Sequence, residues 1–170
     1  MALREVVLFV GAILVTAVAA RAEVPWYPVP FTLQTLAVTM SGLVLGGRRA
    51  FVAQSGYLGA GAIGLPVLAG GAGGAEHLTG LTAGYLWSFP IVAGGLGFLA
   101  ARPSWRTPAA LTLALAAAHA VNLTMGGLWL NALKPGIGWS AGVAPFLLGG
   151  LFKSLLAAAI VPELDRRVKL

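Results

Sequence analysis

This sequence contains no cysteine, only five acidic residues and few charged residues of either sign. The absence of cysteine excludes disulfides, thiolate metal sites and thiol nucleophiles. Charged residues make up 9% of the 170 residues and hydrophobic residues 58%, whereas a soluble domain has about 25% charged residues. The mean hydropathy is +0.88. These values predict an integral membrane protein that forms one domain over residues 1–170.

The scarcity of carboxylates excludes most enzymatic chemistry. No carboxylate pair lies inside an apolar run, so general acid–base hydrolysis has no candidate residues. The pair Glu76-His77 is too small a set for a metal site. The string Gly149–Ser154 superficially resembles a phosphate-binding loop, but Phe152 stands where that loop needs a glycine before the lysine. We therefore predict a protein that binds or moves a ligand, that is not an enzyme and that uses no metal or cofactor.

The distribution of apolar residues predicts an all-α protein with six transmembrane helices, because lipid-exposed backbone must form its hydrogen bonds within its own segment. The six apolar runs are Leu3–Ala20, Phe31–Gly46, Ala50–Leu68, Leu81–Ala101, Pro108–Leu130 and Gly142–Val161. The first run also fits a signal peptide. Glu5 weakens its basic leader, so we interpret the run as a retained helix.

The basic residues indicate how these helices are oriented. With six spans, eight Lys and Arg residues fall on one side of the membrane. They are Arg4, Arg48, Arg49, Arg102, Arg106, Arg166, Arg167 and Lys169. The other side receives Arg21 and Lys134. The positive-inside rule therefore predicts that both termini are cytoplasmic, and the net charge of +6 indicates topology rather than a nucleic-acid partner.

The connections on the predicted outer side are longer than those on the inner side and carry aromatic residues, glycine and proline. They are Arg21–Pro30, Ala69–Gly80 and Asn131–Ser140. Prolines stiffen the first loop, and glycines let the second fold tightly or move. We interpret the three loops as a lid over a site open to the outside, although loops need such turn residues in any case.

Lys153 is the most informative residue because it lies in the middle of the apolar segment Pro145–Val161, about 12 Å from either end of a helix. A lysine near the centre of a bilayer costs roughly 3 kcal/mol. Such a residue usually faces a cavity, a ligand or a counter-charge. The alternative is a lysine that snorkels to the membrane surface, but its side chain reaches only about half of that distance.

Few other polar residues lie within the apolar runs. Gln34 lies near the outer end of the second run, Tyr85 at the start of the fourth, and His119 and Asn122 in the fifth. Amides, hydroxyls and one cation can hold a small, weakly anionic polar ligand. His119 alone fits a satisfied interior histidine better than a ligand contact.

Small residues recur on the first helix at a spacing of four, at Ala12, Thr16 and Ala20. This spacing allows another helix to approach closely in lipid. The pattern fits either packing inside the chain or a stripe on which a partner protein docks.

Several motifs in this order and spacing resemble the BioY family, the biotin-specific S-components of energy-coupling-factor (ECF) transporters. The first are Pro28–Leu36 (PVPFTLQTL) and Gly42–Arg49 (GLVLGGRR). The similarity continues in Gly61–Val67, Gly70–Gly74, Thr82–Tyr85 and Pro145–Lys153, and it extends over residues 5–160. No single motif is decisive, but the set is specific.

The resemblance implies the six-helix S-component fold, a cell-membrane location, and biotin held near the outer face beneath the loops. It also implies a complex with a transmembrane coupling protein and two cytoplasmic ATPases. In this family a small-residue stripe on the first helix contacts the coupling protein, and Ala12, Thr16 and Ala20 match it in kind. The resulting substrate-binding residues are Lys153, Gln34, Gly84, Tyr85, Gly73, Gly74, Asn122 and Gly150.

Gly150 departs from the family pattern. The sixth helix of the family typically carries an aspartate three residues before the lysine, and both residues help to hold biotin. With Gly150 the site is expected to be more positive and roomier. Biotin capture is our leading hypothesis. The alternatives are an S-component-like transporter of another small anionic vitamin or precursor, and a structural membrane subunit without a ligand.

Overall fold

The computed structural model describes the backbone of residues 3–105 and 107–168 and the side chains of residues 3–105 and 107–160. Most of this part of the chain is helical. The α-helices are α1 (Leu3–Arg21), α2 (Gln34–Leu45), α3 (Gly47–Ala62), α4 (Ala83–Ala100), α5 (Pro108–Leu133), α6 (Gly138–Gly142) and α7 (Leu147–Val168). Short 3₁₀ turns lie at Ala69–Gly71, Ala75–Leu78, Pro103–Trp105 and Ala144–Phe146.

A two-stranded antiparallel ladder, which the apolar pattern did not predict, follows α1. Its strands are β1 (Glu23–Val24) and β2 (Phe31–Thr32), and Glu23 lies opposite Thr32. Because Phe31 and Thr32 pair with β1, α2 begins at Gln34 rather than at the start of the predicted run. The ladder therefore folds the loop between α1 and α2 back over the end of the helices.

Within the described residues, four helical segments are long and apolar enough to cross a membrane, namely Leu3–Arg21, Ala83–Ala100, Pro108–Leu133 and Gly138–Ile160. Helix α2 has 12 residues and α3 has 16. The third helix is shorter than predicted: it ends at Ala62 rather than Leu68, since Gly64 has a φ of 94° and Pro66 cannot donate to a helical hydrogen bond. The count of six spans stays a prediction.

Helix α4 lies at the centre of the fold, packed against α2, α3 and α5. Glycines allow these close approaches. A Cβ atom on Gly42 of α2 would lie 2.6 Å from the carbonyl oxygen of Ala93 in α4, and one on Gly97 would lie 2.5 Å from the backbone nitrogen of Gly47. The backbone of α4 is therefore in direct contact with the backbone at the junction of α2 and α3.

Thr16 and Ala20 of the small-residue stripe on α1 face the interior of the protein, and the expectation that the stripe docks a partner stays a prediction. Thr16 and Ala20 are both 0% exposed, and Ala12 packs against the core. The Oγ1 atom of Thr16 donates to the Ala12 carbonyl at 2.8 Å and accepts from Nε2 of Gln54 in α3 at 3.1 Å. Gln54 also donates to Ser41 Oγ in α2 at 3.0 Å. A buried amide needs hydrogen-bond partners, and the hydroxyls of Thr16 and Ser41 supply them to Gln54. This requirement explains why Thr16 faces α3.

One ion pair joins the ends of α1 and α3 on the predicted cytoplasmic side, where Nε of Arg49 lies 2.9 Å from Oε2 of Glu5. Of the eight basic residues assigned to that side, Arg106 and Lys169 lie outside the described residues, as do the side chains of Arg166 and Arg167. The C-terminal residue also lies outside the described part. The orientation of the termini therefore stays a prediction.

Candidate functional site

A cavity of about 670 Å³ lies beneath the loop between α1 and α2, a volume typical of small-molecule sites. Helices α2, α4, α5 and α7 contribute to its walls. Two of the three predicted lid loops line it, through residues 22–24 and 29–33 of the first and 69, 72 and 77 of the second. The third loop instead touches the first, because Lys134 Nζ donates to the Tyr27 hydroxyl at 2.5 Å.

Lys153 lies on the cavity wall, and α7 directs its ammonium toward the start of α2. Its Nζ donates to the Thr32 carbonyl at 2.6 Å and to Thr35 Oγ1 at 3.0 Å. No carboxylate in the described part of the chain forms an ion pair with it. An ammonium has three donors, so one remains for a ligand.

Gln34 also lines the cavity, but the contacts of its side chain are internal. Its Oε1 accepts from Thr32 Oγ1 at 2.9 Å, and its Nε2 donates to the Tyr57 hydroxyl at 2.7 Å. Tyr57 in turn donates to the Val67 carbonyl at 2.9 Å. This relay connects β2, α2, α3 and the second loop, so Gln34 holds the wall in place.

Asn122 and His119 bring polar atoms to the cavity from α5. Nδ2 of Asn122 donates to the Tyr85 carbonyl at 3.2 Å and to Ser88 Oγ at 2.6 Å, which fixes the orientation of the amide. Nδ1 of His119 lies 3.0 Å from the Leu115 carbonyl. Its Nε2 is buried and has no hydrogen-bond partner among the described residues.

Aromatic rings form the apolar part of the cavity. Phe31 and Phe146 stack with centroids 4.3 Å apart, and the Tyr85 ring lies 6.4 Å from that of Phe146. The Tyr85 hydroxyl donates to the Gly142 carbonyl at 2.5 Å. Tyr85 therefore offers the site its ring, while its hydroxyl ties α4 to α6.

Four glycines were predicted to bind the substrate. Gly150 lines the cavity, whereas Gly84, Gly73 and Gly74 do not. A Cβ atom on Gly150 would meet only the His119 side chain, at 3.5–3.7 Å, so the position has room. Gly84 lets α4 approach α5, since a Cβ there would lie 2.6 Å from the Met125 carbonyl.

Gly73 and Gly74 shape the second loop rather than line the cavity. A Cβ atom on Gly73 would collide with the backbone of Gly64 and Leu65. Gly74 has a φ of 125°, which favours glycine, and its backbone nitrogen donates to the Gly61 carbonyl at 2.8 Å. Both glycines therefore pin this loop to the end of α3.

A model of the BioY family matches residues 1–170. The chain belongs to the BioY family. The biotin transporter BioY of Thermotoga maritima is 34% identical over 152 residues, which are 88% of this chain and 88% of that protein. The probable biotin transporter BioY of Pyrococcus horikoshii is 34% identical over 168 residues, 95% of this chain and 96% of that protein. The resemblance predicted from the motifs is therefore confirmed.

The fold agrees with this BioY membership. The chain matches the crystal structure of the S-component for biotin from an ECF-type ABC transporter with a TM-score of 0.81 and 23% identity, over 98% of this chain and 95% of that chain. It has the S-component fold. Its relatives are named as transporters, and four helices in the described part of the chain are apolar enough to cross a bilayer. The chain is a membrane protein.

In this BioY chain Glu23, which no apolar run contains, also lines the cavity. Its Oε2 is buried and has no hydrogen-bond partner in the described part of the chain. The sequence pattern does not indicate Glu23, because only its pairing with Thr32 in the ladder brings it beside the site. A carboxylate thus lines the cavity despite Gly150, but from the first loop rather than from α7.

Proposed function

We propose that the chain is the substrate-capture subunit of an ATP-driven biotin transporter, binding biotin in the cavity beneath the first loop and delivering it inward. The observation that carries the proposal is this cavity, with Lys153 on its wall, in a chain that matches the BioY family over residues 1–170. The curated relatives named above as biotin transporters support biotin as the ligand.

The chemistry of the cavity suits the parts of biotin. Biotin has a carboxylate, an apolar chain, and a ureido group with N–H donors and a carbonyl. The free donor of Lys153 can bind an anionic or carbonyl oxygen, and a charge-assisted bond of this kind is about twice as strong as a neutral one. Phe31, Phe146 and Tyr85 provide apolar surface for the rings and chain, and the Asn122 and His119 side chains provide polar contacts.

The wider assembly belongs to the same proposal. The chain forms a single domain with six spans in the plasma membrane and with both termini in the cytoplasm, as the asymmetry of basic residues favours. It works with a transmembrane coupling protein and two cytoplasmic ATPases. Docking of the coupling protein on the α1 stripe stays part of this proposal, with Thr16 and Ala20 buried in the isolated chain.

A second candidate function is the transport of another small anionic vitamin or precursor. Two points favour it: the resemblance implies an aspartate at the position where Gly150 stands, and the Lys153 ammonium has no ion-pair partner among the described residues. A more strongly anionic ligand would match such a site.

Growth of a biotin-auxotrophic bacterium without its own biotin uptake tests the proposal. We expect this chain, expressed with an ECF coupling module, to restore growth on low biotin, and the Lys153→Met variant to lose that ability. Leu148→Met on the same helix is the matched control, because Leu148 is 80% exposed. Absence of growth, with the protein present in the membrane and the module active with another S-component, would contradict the proposal.

A further inference from the structure

The carboxylate of Glu23 has no partner in the described part of the chain, although it lies beside the cavity. Glu23 belongs to β1, is half-buried and lines the cavity. No described residue forms an ion pair with it. Arg21, two residues earlier, instead donates to the Pro66 carbonyl at 2.8 Å. A carboxylate that is partly withdrawn from water needs a donor, and the described residues do not supply one.

The two oxygens of this carboxylate have different surroundings. Oε2 is buried against the second loop, where a Cβ atom added at Gly70 would lie 3.2 Å from Oε2 and 3.7 Å from Oε1. The second loop therefore closes Oε2 to a ligand. Oε1 is farther from this loop, is not buried, and accepts no hydrogen bond from a described residue. A ligand in the cavity can therefore reach Oε1 only.

The ladder sets the position of Glu23 relative to Lys153. Glu23 lies directly opposite Thr32, and residues opposite each other in an antiparallel pair have Cα atoms about 4.5–5.5 Å apart and side chains on the same face. The Thr32 carbonyl accepts from Lys153 Nζ at 2.6 Å. Glu23 and Lys153 line the same cavity without forming an ion pair with each other. One ligand can therefore meet an anionic acceptor and a cationic donor in this cavity.

We propose that Oε1 of Glu23 accepts a hydrogen bond from an N–H group of the ligand, and that Glu23 thereby selects ligands that carry an N–H donor as well as an oxygen for the Lys153 ammonium. The inference rests on the proposed function, and for biotin the donor is a ureido N–H. A carboxylate ligand without such a donor leaves the charge of Glu23 uncompensated, so Glu23 also disfavours simple apolar carboxylates.

Calorimetric titration of the purified full chain in detergent with biotin and with lipoate tests this inference. Both ligands carry a carboxylate on an apolar chain, and only biotin has ureido N–H donors. Glu23→Met keeps the length of the side chain and removes both acceptor oxygens. We expect it to bind biotin roughly ten- to a hundredfold more weakly, the range for a charge-assisted hydrogen bond. It should bind lipoate no more weakly than the wild type does, because lipoate has no donor for Glu23.

Glu76→Met is the matched control, because Glu76 is exposed on the second loop and does not line the cavity; it should leave both affinities unchanged. The midpoint of thermal unfolding without ligand separates recognition from folding. Glu23→Met should unfold at the wild-type midpoint or above it, since no described residue pairs with the carboxylate. A lower midpoint, wild-type affinity for biotin, or equal losses for biotin and lipoate would each overturn the inference and leave the proposed function intact. A wild type that bound no biotin would overturn both.

Discussion

At the residue scale, we propose two roles for the ammonium of Lys153. Its bonds to the Thr32 carbonyl and Thr35 Oγ1 join α7 to the start of α2, and its remaining donor points to a role in ligand binding. The sequence predicted that this lysine faces a cavity, because a charge in an apolar run needs a partner. It did not predict the partners, since Thr32 and Thr35 are distant in the chain and meet Lys153 only through the packing of α2 against α7.

The Lys153→Met variant separates these roles when it is compared with Thr35→Val. Methionine keeps the length of the side chain but removes the charge, so a charge-assisted bond of about 1.5–3 kcal/mol is lost. We expect biotin to bind about one to two decades more weakly. Thr35→Val removes only one internal partner of the lysine and should have a smaller effect. Unchanged biotin affinity of a folded Lys153→Met protein, measured by calorimetry, would return the lysine to a purely structural role.

At the scale of helices, small residues and a few buried hydrogen bonds determine which faces meet. The pattern of Ala12, Thr16 and Ala20 predicted close packing, but not its partner. The decisive residue is Gln54, whose amide reaches Thr16 and Ser41 and so turns the stripe inward. A repeat of small residues is the same for an internal contact and for an external one, so the sequence pattern alone could not decide between them.

Thr16→Trp tests the inward orientation of α1. Because Thr16 is 0% exposed, we expect the larger side chain to disrupt the fold, so that biotin binding and assembly with a coupling protein are lost together. Val15→Trp is the matched control, since Val15 is 58% exposed and should accept tryptophan. The readouts are elution in size-exclusion chromatography and a biotin titration. A folded Thr16→Trp protein that bound biotin but failed to assemble would show instead that a partner docks on the stripe.

Gly126→Ala tests the contact between α4 and α5. A Cβ atom on Gly126 would overlap the Tyr85 ring, and overpacking of this kind typically costs about 1–3 kcal/mol. We therefore expect a lower midpoint of thermal unfolding. Gly95→Ala on α4 serves as the control, because nothing lies within 4 Å of its added Cβ atom. Equal midpoints for the two variants would argue against the close packing of Tyr85 on α5.

At the scale of the whole molecule, the sequence indicated the fold class and the family better than the ends of the helices and the shape of the loops. Apolar runs correctly indicated a helical membrane protein, and the motifs indicated its family. The apolar runs placed the end of α3 too late in the chain, because Ile63–Leu68 is mostly apolar although the helix is already broken near Gly64. They also missed the ladder between Glu23–Val24 and Phe31–Thr32, because strands of two residues leave no periodic pattern. The lid over the cavity depends on these irregular segments.

The orientation of the chain can be measured directly because the sequence contains no cysteine. We expect a cysteine introduced at Ser104 to react with a membrane-impermeant maleimide only after the cells are opened, since the basic residues near it favour the cytoplasm. A cysteine at Gly136, in the loop between α5 and α6, should react in intact cells. The reverse pattern would contradict the predicted orientation.

We propose that this chain binds biotin in one cavity, and equilibrium titration of the purified protein can show whether it does. Biotin and lipoate are the informative pair, because both carry a carboxylate on an apolar chain and only biotin has the ureido N–H donors. We expect saturable one-to-one binding of biotin and an affinity for lipoate that is lower by roughly ten- to a hundredfold, the range for lost hydrogen bonds in a buried site. No binding of biotin by the folded protein, or equal affinity for lipoate, would contradict it.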